Sequence, residues 1–120
     1  QALQNFLRME KWIFDSPDQA GEAFRQFITL FYRENRLVAD TLDIGSRPVR
    51  LRNVTMPVLN VYATQDHLVP PAASTVLKDL VGTPDYTPYA FDGGHIGIYV
   101  SGRAQKDLPA AISDWLRSRS

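Results

Sequence analysis

Two short stretches hold the side chains best suited to chemistry: Asp66 and His67 in "TQDHLVPP", and His95 in "FDGGHIGIYV". The chain has only two histidines, and one of them, His95, stands behind Gly93 and Gly94 and ahead of a run of bulky apolar residues. A neutral imidazole with one nitrogen bound to a carboxylate is held in one tautomer, which leaves the other nitrogen free to take a proton from a nucleophile. Asp66 and His95 are the candidate pair for that work, in the chain order acid then histidine. Gly93 and Gly94 let the backbone turn sharply and come close to a substrate. Each residue also has a plainer reading, Asp66 as a cap for "HLVPPAAS" and His95 as a polar loop residue.

A metal site made of Asp66, His67 and His95 is disfavoured, because adjacent residues rarely aim at one ion and no further carboxylate has suitable spacing. "GGHIGIYVSG" lacks the G-x-G-x-x-G pattern and the acidic residue of a dinucleotide site, so no cofactor is expected. A nucleophile is also missing: the chain has no cysteine, G-x-S-x-G does not occur, and serines such as Ser46 and Ser101 lack that frame. In sheets of the hydrolase type the nucleophile precedes the acid and the histidine. The reading therefore expects it on a segment upstream of Gln1.

The elements that must position the pair follow from the hydrophobic pattern. "MPVLNVYA" is a short β-branched and apolar run bounded by turn signals, and it reads as a parallel strand buried on both faces. "PPAASTVLKDLVG" reads as a helix with Val76, Leu77, Leu80 and Val81 inward and Gly82 as its stop. "DYTPYAF" is a second strand, and "KDLPAAISDWLRSRS" a last helix capped by Asp107, with Leu108, Ala111, Ile112, Trp115 and Leu116 inward. Strands alternating with helices predict the α/β class. Asp66 then lies three residues past one strand and His95 four past the other, at the edge where such sheets gather their functional groups. Two strands are too few for a covered parallel sheet, so the rest of the sheet is expected from residues outside this chain or from a partner.

Ahead of this, Ser16, Pro17 and Gln19 predict a helix over 17–34, with Ala20, Ala23, Phe24, Phe27, Ile28, Phe31 and Tyr32 on one face. "FLRMEKWIFD" reads as a shorter helix or turn, and residues 36–54 as a connector with a hairpin at Gly45, Ser46 and Pro48. The division is thus 1–54, helices and connector, and 55–120, the strand-bearing part. Tyr62, Tyr86, Tyr89, Phe91 and Tyr99 lie near the two loops and serve either as walls of an acyl pocket or as core.

Composition narrows the function. Thirteen basic residues balance thirteen acidic ones in 120 residues, so no net field draws the chain to nucleic acid. No apolar run reaches the roughly 20 residues of a membrane span, and the start "QALQNFLRMEKW" lacks the features of an export signal. A cytoplasmic piece of a longer protein is expected. Incompletely covered apolar faces and an open strand edge also predict self-association.

"NVTMPVLNVYATQDHLVPPAAS" and "FDGGHIGIYVSGRAQKDLPAAISDWL" resemble the C-terminal part of the catalytic subunit of polyhydroxyalkanoate synthases, most of all the two-subunit class III type. The D-H-[LIV]-V-P and G-G-H-I-G motifs carry the resemblance, and "MEKWIFDSPDQAGEAFRQFITLFY" is similar to the cap region of that family. The resemblance implies an α/β-hydrolase fold, preceded in this chain by a helical cap-region segment. It also implies polymerisation of (R)-3-hydroxyacyl-CoA, chiefly 3-hydroxybutyryl-CoA, into polyester with release of CoA, at the surface of the polyester granule and with an accessory subunit. Asp66 and His95 match the family's acid and histidine. His95 would deprotonate a cysteine, and Asp66 would orient His95 or help activate the incoming hydroxyl. Without that cysteine the isolated chain is expected to be inert. On the residues alone two other readings stay open: a piece of an esterase-like serine or cysteine hydrolase, and a non-catalytic interaction module.

Overall fold

A computed structural model describes residues 2–120, which form two compact units, one ending at Leu42 and the other starting at Asp43. In the first, helix α1 spans Ala2–Phe14. Ser16 does not start the next helix as expected: its Oγ donates to the Ile13 carbonyl at 2.9 Å and so closes α1. Helix α2 begins only at Gly21 and runs to Gln26, with Ala20 at its N-cap and no side-chain cap. Glu22 braces its first turn by accepting from both Nε and Nη2 of Arg25 and from Nε2 of Gln26.

From Phe27 to Arg33 the helix widens into a π turn, a stretch whose β-branched and aromatic side chains fit a regular α-turn poorly. The helix expected over 17–34 is therefore shorter at its start and of mixed type. Its apolar stripe is only partly covered, and Phe24 and Phe27 are each more than half exposed. Asn35, with φ of 46°, ends the segment in the left-handed region.

The expected hairpin forms. Strands β1, Leu42–Ile44, and β2, Arg47–Val49, pair around Gly45 and Ser46, whose φ values of 54° and 65° are those of a primed turn. A 3-10 turn at Leu51–Asn53 follows. Strands β3, Val58–Ala63, and β4, Tyr86–Phe91, then pair in parallel, with Val58 opposite Tyr86 and Ala63 opposite Phe91. Asn60 ties this pair together, its Nδ2 donating to the Ser74 carbonyl at 2.8 Å and to Tyr86 Oη at 2.6 Å.

The crossover holds two short helices, α3 at Pro71–Thr75 and α4 at Leu77–Leu80, where one was expected. The break falls at Val76, where the bond to the Ala72 carbonyl stretches to 3.4 Å and Asp79 N bonds Val76 O in an i to i+3 turn. After β4 come α5, Gly97–Val100, and α6, Gly102–Arg117. Helix α6 starts five residues before the expected cap, Asp107. Ser101 is the true N-cap, its Oγ accepting from Ala104 N at 3.1 Å, and Pro109 lies inside the helix. Its far end is latched to β4, because Trp115 Nε1 donates to Thr87 Oγ1 and Arg119, stacked on the Trp115 ring, grips Asp85.

These helices around a parallel pair make the chain α/β, as the pattern predicted. The expectation that β3 is buried on both faces is corrected. Ala63 is buried, but Val58–Tyr62 are half-buried, because two strands and short helices cannot cover a pleated surface on both sides. Ile112 and Leu116 of α6, expected to face inward, are exposed for the same reason.

Candidate active site

The site is built from the two loops beyond the carboxyl ends of β3 and β4. Backbone bonds continue the strand pairing one step further, from Thr64 N to Phe91 O at 2.8 Å and from Gln65 N to Gly93 O at 2.9 Å. The chain has to pass tightly at Gly93, where an added Cβ would come within 2.6 Å of the Phe91 ring. Phe91 is buried, so that ring cannot swing away freely.

Asp66 and His95, proposed from sequence, are brought together by this stitching. His95 Nδ1 lies 2.8 Å from Asp66 Oδ2, and the Asp66 side chain is only 10% exposed. The other oxygen, Oδ1, accepts from the backbone N–H groups of Leu68 at 2.9 Å and Val69 at 2.8 Å. The plain reading of Asp66 as a local cap and its reading as partner of His95 are both realised, one on each oxygen.

Electrostatics favour the ionised acid. Burial by itself works to raise the Asp66 pKa, but the Val69 N–H, the His95 ring and the Leu68 N–H together outweigh it and hold the carboxyl below its ordinary value. An ionised carboxylate can only accept, so Nδ1 carries a proton, and in the neutral form of the ring Nε2 is the nitrogen left with a lone pair. Among the described residues Nε2 has no hydrogen-bond partner. The ring borders an open cleft of about 160 Å³ whose walls include Val61, Tyr62, Val69, Ser74, Ile98 and Tyr99. Of the aromatic residues considered from sequence, Tyr62 and Tyr99 line this cleft and Phe91 belongs to the core. His67 is exposed, and among the described residues no three His, Cys, Asp or Glu side chains gather as a metal site.

Three residues that the sequence reading did not single out surround the pair. Gln65 Nε2 donates to Asp92 Oδ1 at 2.7 Å, and Arg103 of α6 donates through Nη2 to the Asp92 carbonyl at 2.6 Å and through Nη1 to Asp92 Oδ2 at 3.4 Å. The Arg103 guanidinium also sits over the Phe91 ring, 4.9 Å from its centre. Gln65 and Asp92 are marked in sequence only by adjacency to Asp66 and to the glycines before His95, and Arg103, eight residues past His95, is not marked at all.

A carboxylate–imidazole pair at the carboxyl edge of a parallel β pair is an arrangement chemically suited to acid–base work beside a nucleophile. Comparison with known proteins gives the family. The chain is 61% identical over 117 residues to poly(3-hydroxyalkanoate) polymerase subunit PhaC of Allochromatium vinosum. It is 58% and 59% identical over 118 residues to proteins of the same name from Thiocystis violacea and Synechocystis. Each match covers 98% of this chain, which over its own length belongs to that family. The chain spans about a third of the length of these curated relatives. No family model and no solved structure matches it.

Proposed function

We propose that this chain is the acid–base portion of a poly(3-hydroxyalkanoate) polymerase subunit, that it forms the C-terminal part of an α/β-hydrolase fold, and that Asp66 and His95 are its catalytic pair. The observation that carries the reading is the 2.8 Å contact between Asp66 and His95, made by a carboxylate that its own loop already fixes. The relatives' names support an acyl-CoA substrate and a polyester product.

In this reading a cysteine outside the 120 residues is the nucleophile, since the chain has none. His95 Nε2 takes the thiol proton, and the thiolate attacks the thioester carbonyl of an (R)-3-hydroxyacyl-CoA. The imidazolium returns the proton to the departing CoA thiolate, leaving an acyl-enzyme. His95 then takes the proton of a hydroxyl, whose oxygen attacks an acyl thioester to form the ester bond, and the cysteine thiolate released recovers that proton. Asp66 holds the ring in the required tautomer and stabilises the imidazolium each time it forms. The 120 residues alone turn nothing over, and the complete enzyme works at the polyester surface with an accessory subunit.

The test is CoA release from (R)-3-hydroxybutyryl-CoA by the full-length polypeptide that carries this chain, with the co-encoded subunit, beside His95→Gln. Release that collapses in the variant is expected. Release untouched by His95→Gln would overturn the assignment.

A further inference from the structure

We infer that Asp92, clamped between Gln65 and Arg103, is the positioning residue that sets His95 against Asp66. The inference rests on the proposed role of the pair for its kinetic consequence but not for its structural one. The loop leading to His95 is Asp92-Gly93-Gly94, and its two glycines carry no side chain that could anchor it beyond backbone bonds such as that from Gln65 N to Gly93 O. Its one anchoring side chain is Asp92. Oδ1 of that residue accepts from Gln65 at 2.7 Å, and Gln65 is the immediate neighbour of Asp66. The clamp therefore joins the residue before the acid to the residue three positions before the base.

Arg103 completes it from α6, gripping the Asp92 carbonyl at 2.6 Å while lying over the Phe91 ring at the end of β4. Asp92 and Arg103 are both more than half exposed, so the ion pair itself adds little to stability. What the clamp limits is the travel of a glycine-rich loop, and proton transfer is sensitive to that geometry.

The full-length polypeptide, carrying isotope-labelled histidine, is compared with Asp92→Ala, Asp92→Asn, Gln65→Ala and the double variant Gln65→Ala/Asp92→Ala. The Nδ1 proton of His95 is assigned by its disappearance in His95→Gln. In Asp92→Ala this resonance should broaden or vanish, and kcat for CoA release should fall about fivefold with KM held within about twofold. Asp92→Asn keeps an acceptor for Gln65 and the carbonyl for Arg103, and it should restore most of both readouts. The double variant should be no worse than Asp92→Ala, because the two side chains share one bond. A resonance and a kcat unchanged in Asp92→Ala would overturn the inference. If Asp92→Ala fails to fold, an unchanged resonance in Gln65→Ala, which removes a single hydrogen bond, overturns it equally. If His95→Gln leaves CoA release intact, the polymerase reading falls, and the resonance alone then decides the positioning role.

Discussion

Asp66→Asn separates what Asp66 does for the fold from what it does for chemistry. Asparagine has the same shape but one acceptor oxygen, while Asp66 uses two: Oδ1 for the N–H groups of Leu68 and Val69, and Oδ2 for the His95 ring. If the amide keeps its oxygen on the backbone donors, its NH₂ faces Nδ1, which must then accept. The proton moves to Nε2 and the base is switched off. If the amide turns over, its oxygen holds the right tautomer, but the NH₂ is set against two backbone donors. Each hydrogen bond lost this way is worth roughly a factor of ten, so the productive state falls to about one in a hundred. Tautomer loss in a complete triad reaches about ten-thousandfold. CoA release by the full-length polypeptide should therefore drop between about a hundredfold and about ten-thousandfold. Thermal unfolding followed by circular dichroism should barely move, because the unflipped amide preserves the turn at Leu68 and Val69. A variant that keeps a third or more of the activity would refute this account of Asp66, as would a large loss of stability with the kinetics intact.

Three further outcomes are expected. The carboxyl of Glu22 is pulled from an ordinary 4.5 to about 2 by hydrogen bonds from Arg25 and then Gln26. The unfolded chain thus binds more protons there, so the contribution of Glu22 is complete above about 4.5 and is lost as pH falls toward about 2. Carbon NMR titration of the carboxyl should show the low value and its rise in Arg25→Ala, and an ordinary value in the unsubstituted chain would contradict the geometry. Gly82→Ala should cost about 1–3 kcal/mol in denaturant unfolding. An added Cβ would fall 2.0 Å from the Arg52 carbonyl oxygen, so backbone has to shift, and an unchanged midpoint would show that the approach is not close. The chain should also self-associate through exposed side chains such as Leu3, Phe6, Leu7 and Trp12 of α1, and a sharply monomeric boundary in sedimentation velocity would count against that.

The candidate pair was legible in sequence because strand ends are. A β-branched and apolar run marked β3, an aromatic-rich stretch marked β4, turn residues marked where both stop, and parallel strands present their following loops at one edge, so the spacing past Ala63 and Phe91 was enough to set Asp66 beside His95. The helix starts were harder to read. Ser16 has the chemistry of an N-cap, yet the same hydroxyl can serve the helix behind it, and the pattern cannot tell which carbonyl or N–H will be within reach. Asp107 has the chemistry of an N-cap, but Ser101 takes that place, and the helix absorbs Pro109 at the cost of one backbone bond. The continuous apolar run of β3 and the periodic apolar face of α6 were plain in sequence, but burial depends on what lies opposite, and neither pattern contains that.

The clamp around the pair was illegible for a related reason. Gln65, Asp92 and Arg103 are polar residues on loops and on an exposed helix face, a composition shared by most solvated surfaces. Only their convergence in space distinguishes them. That convergence matters more here than it would in a thickly covered sheet. In the strand-bearing unit the buried residues are Ala63, Phe91 and Ala104, too few for close fit alone to fix loop geometry. Order at the sheet edge comes instead from directional bonds: two backbone steps beyond the strands, two N–H groups on Asp66 Oδ1, and the side-chain bonds on Asp92. Phe91 links the two kinds of order, since its buried ring lies against Gly93 on one side and carries the Arg103 guanidinium. A site held this way depends on bonds of its own two loops and of Arg103 at the start of α6, and so its acid–base geometry is set locally, by residues within eight positions of Asp66 and His95.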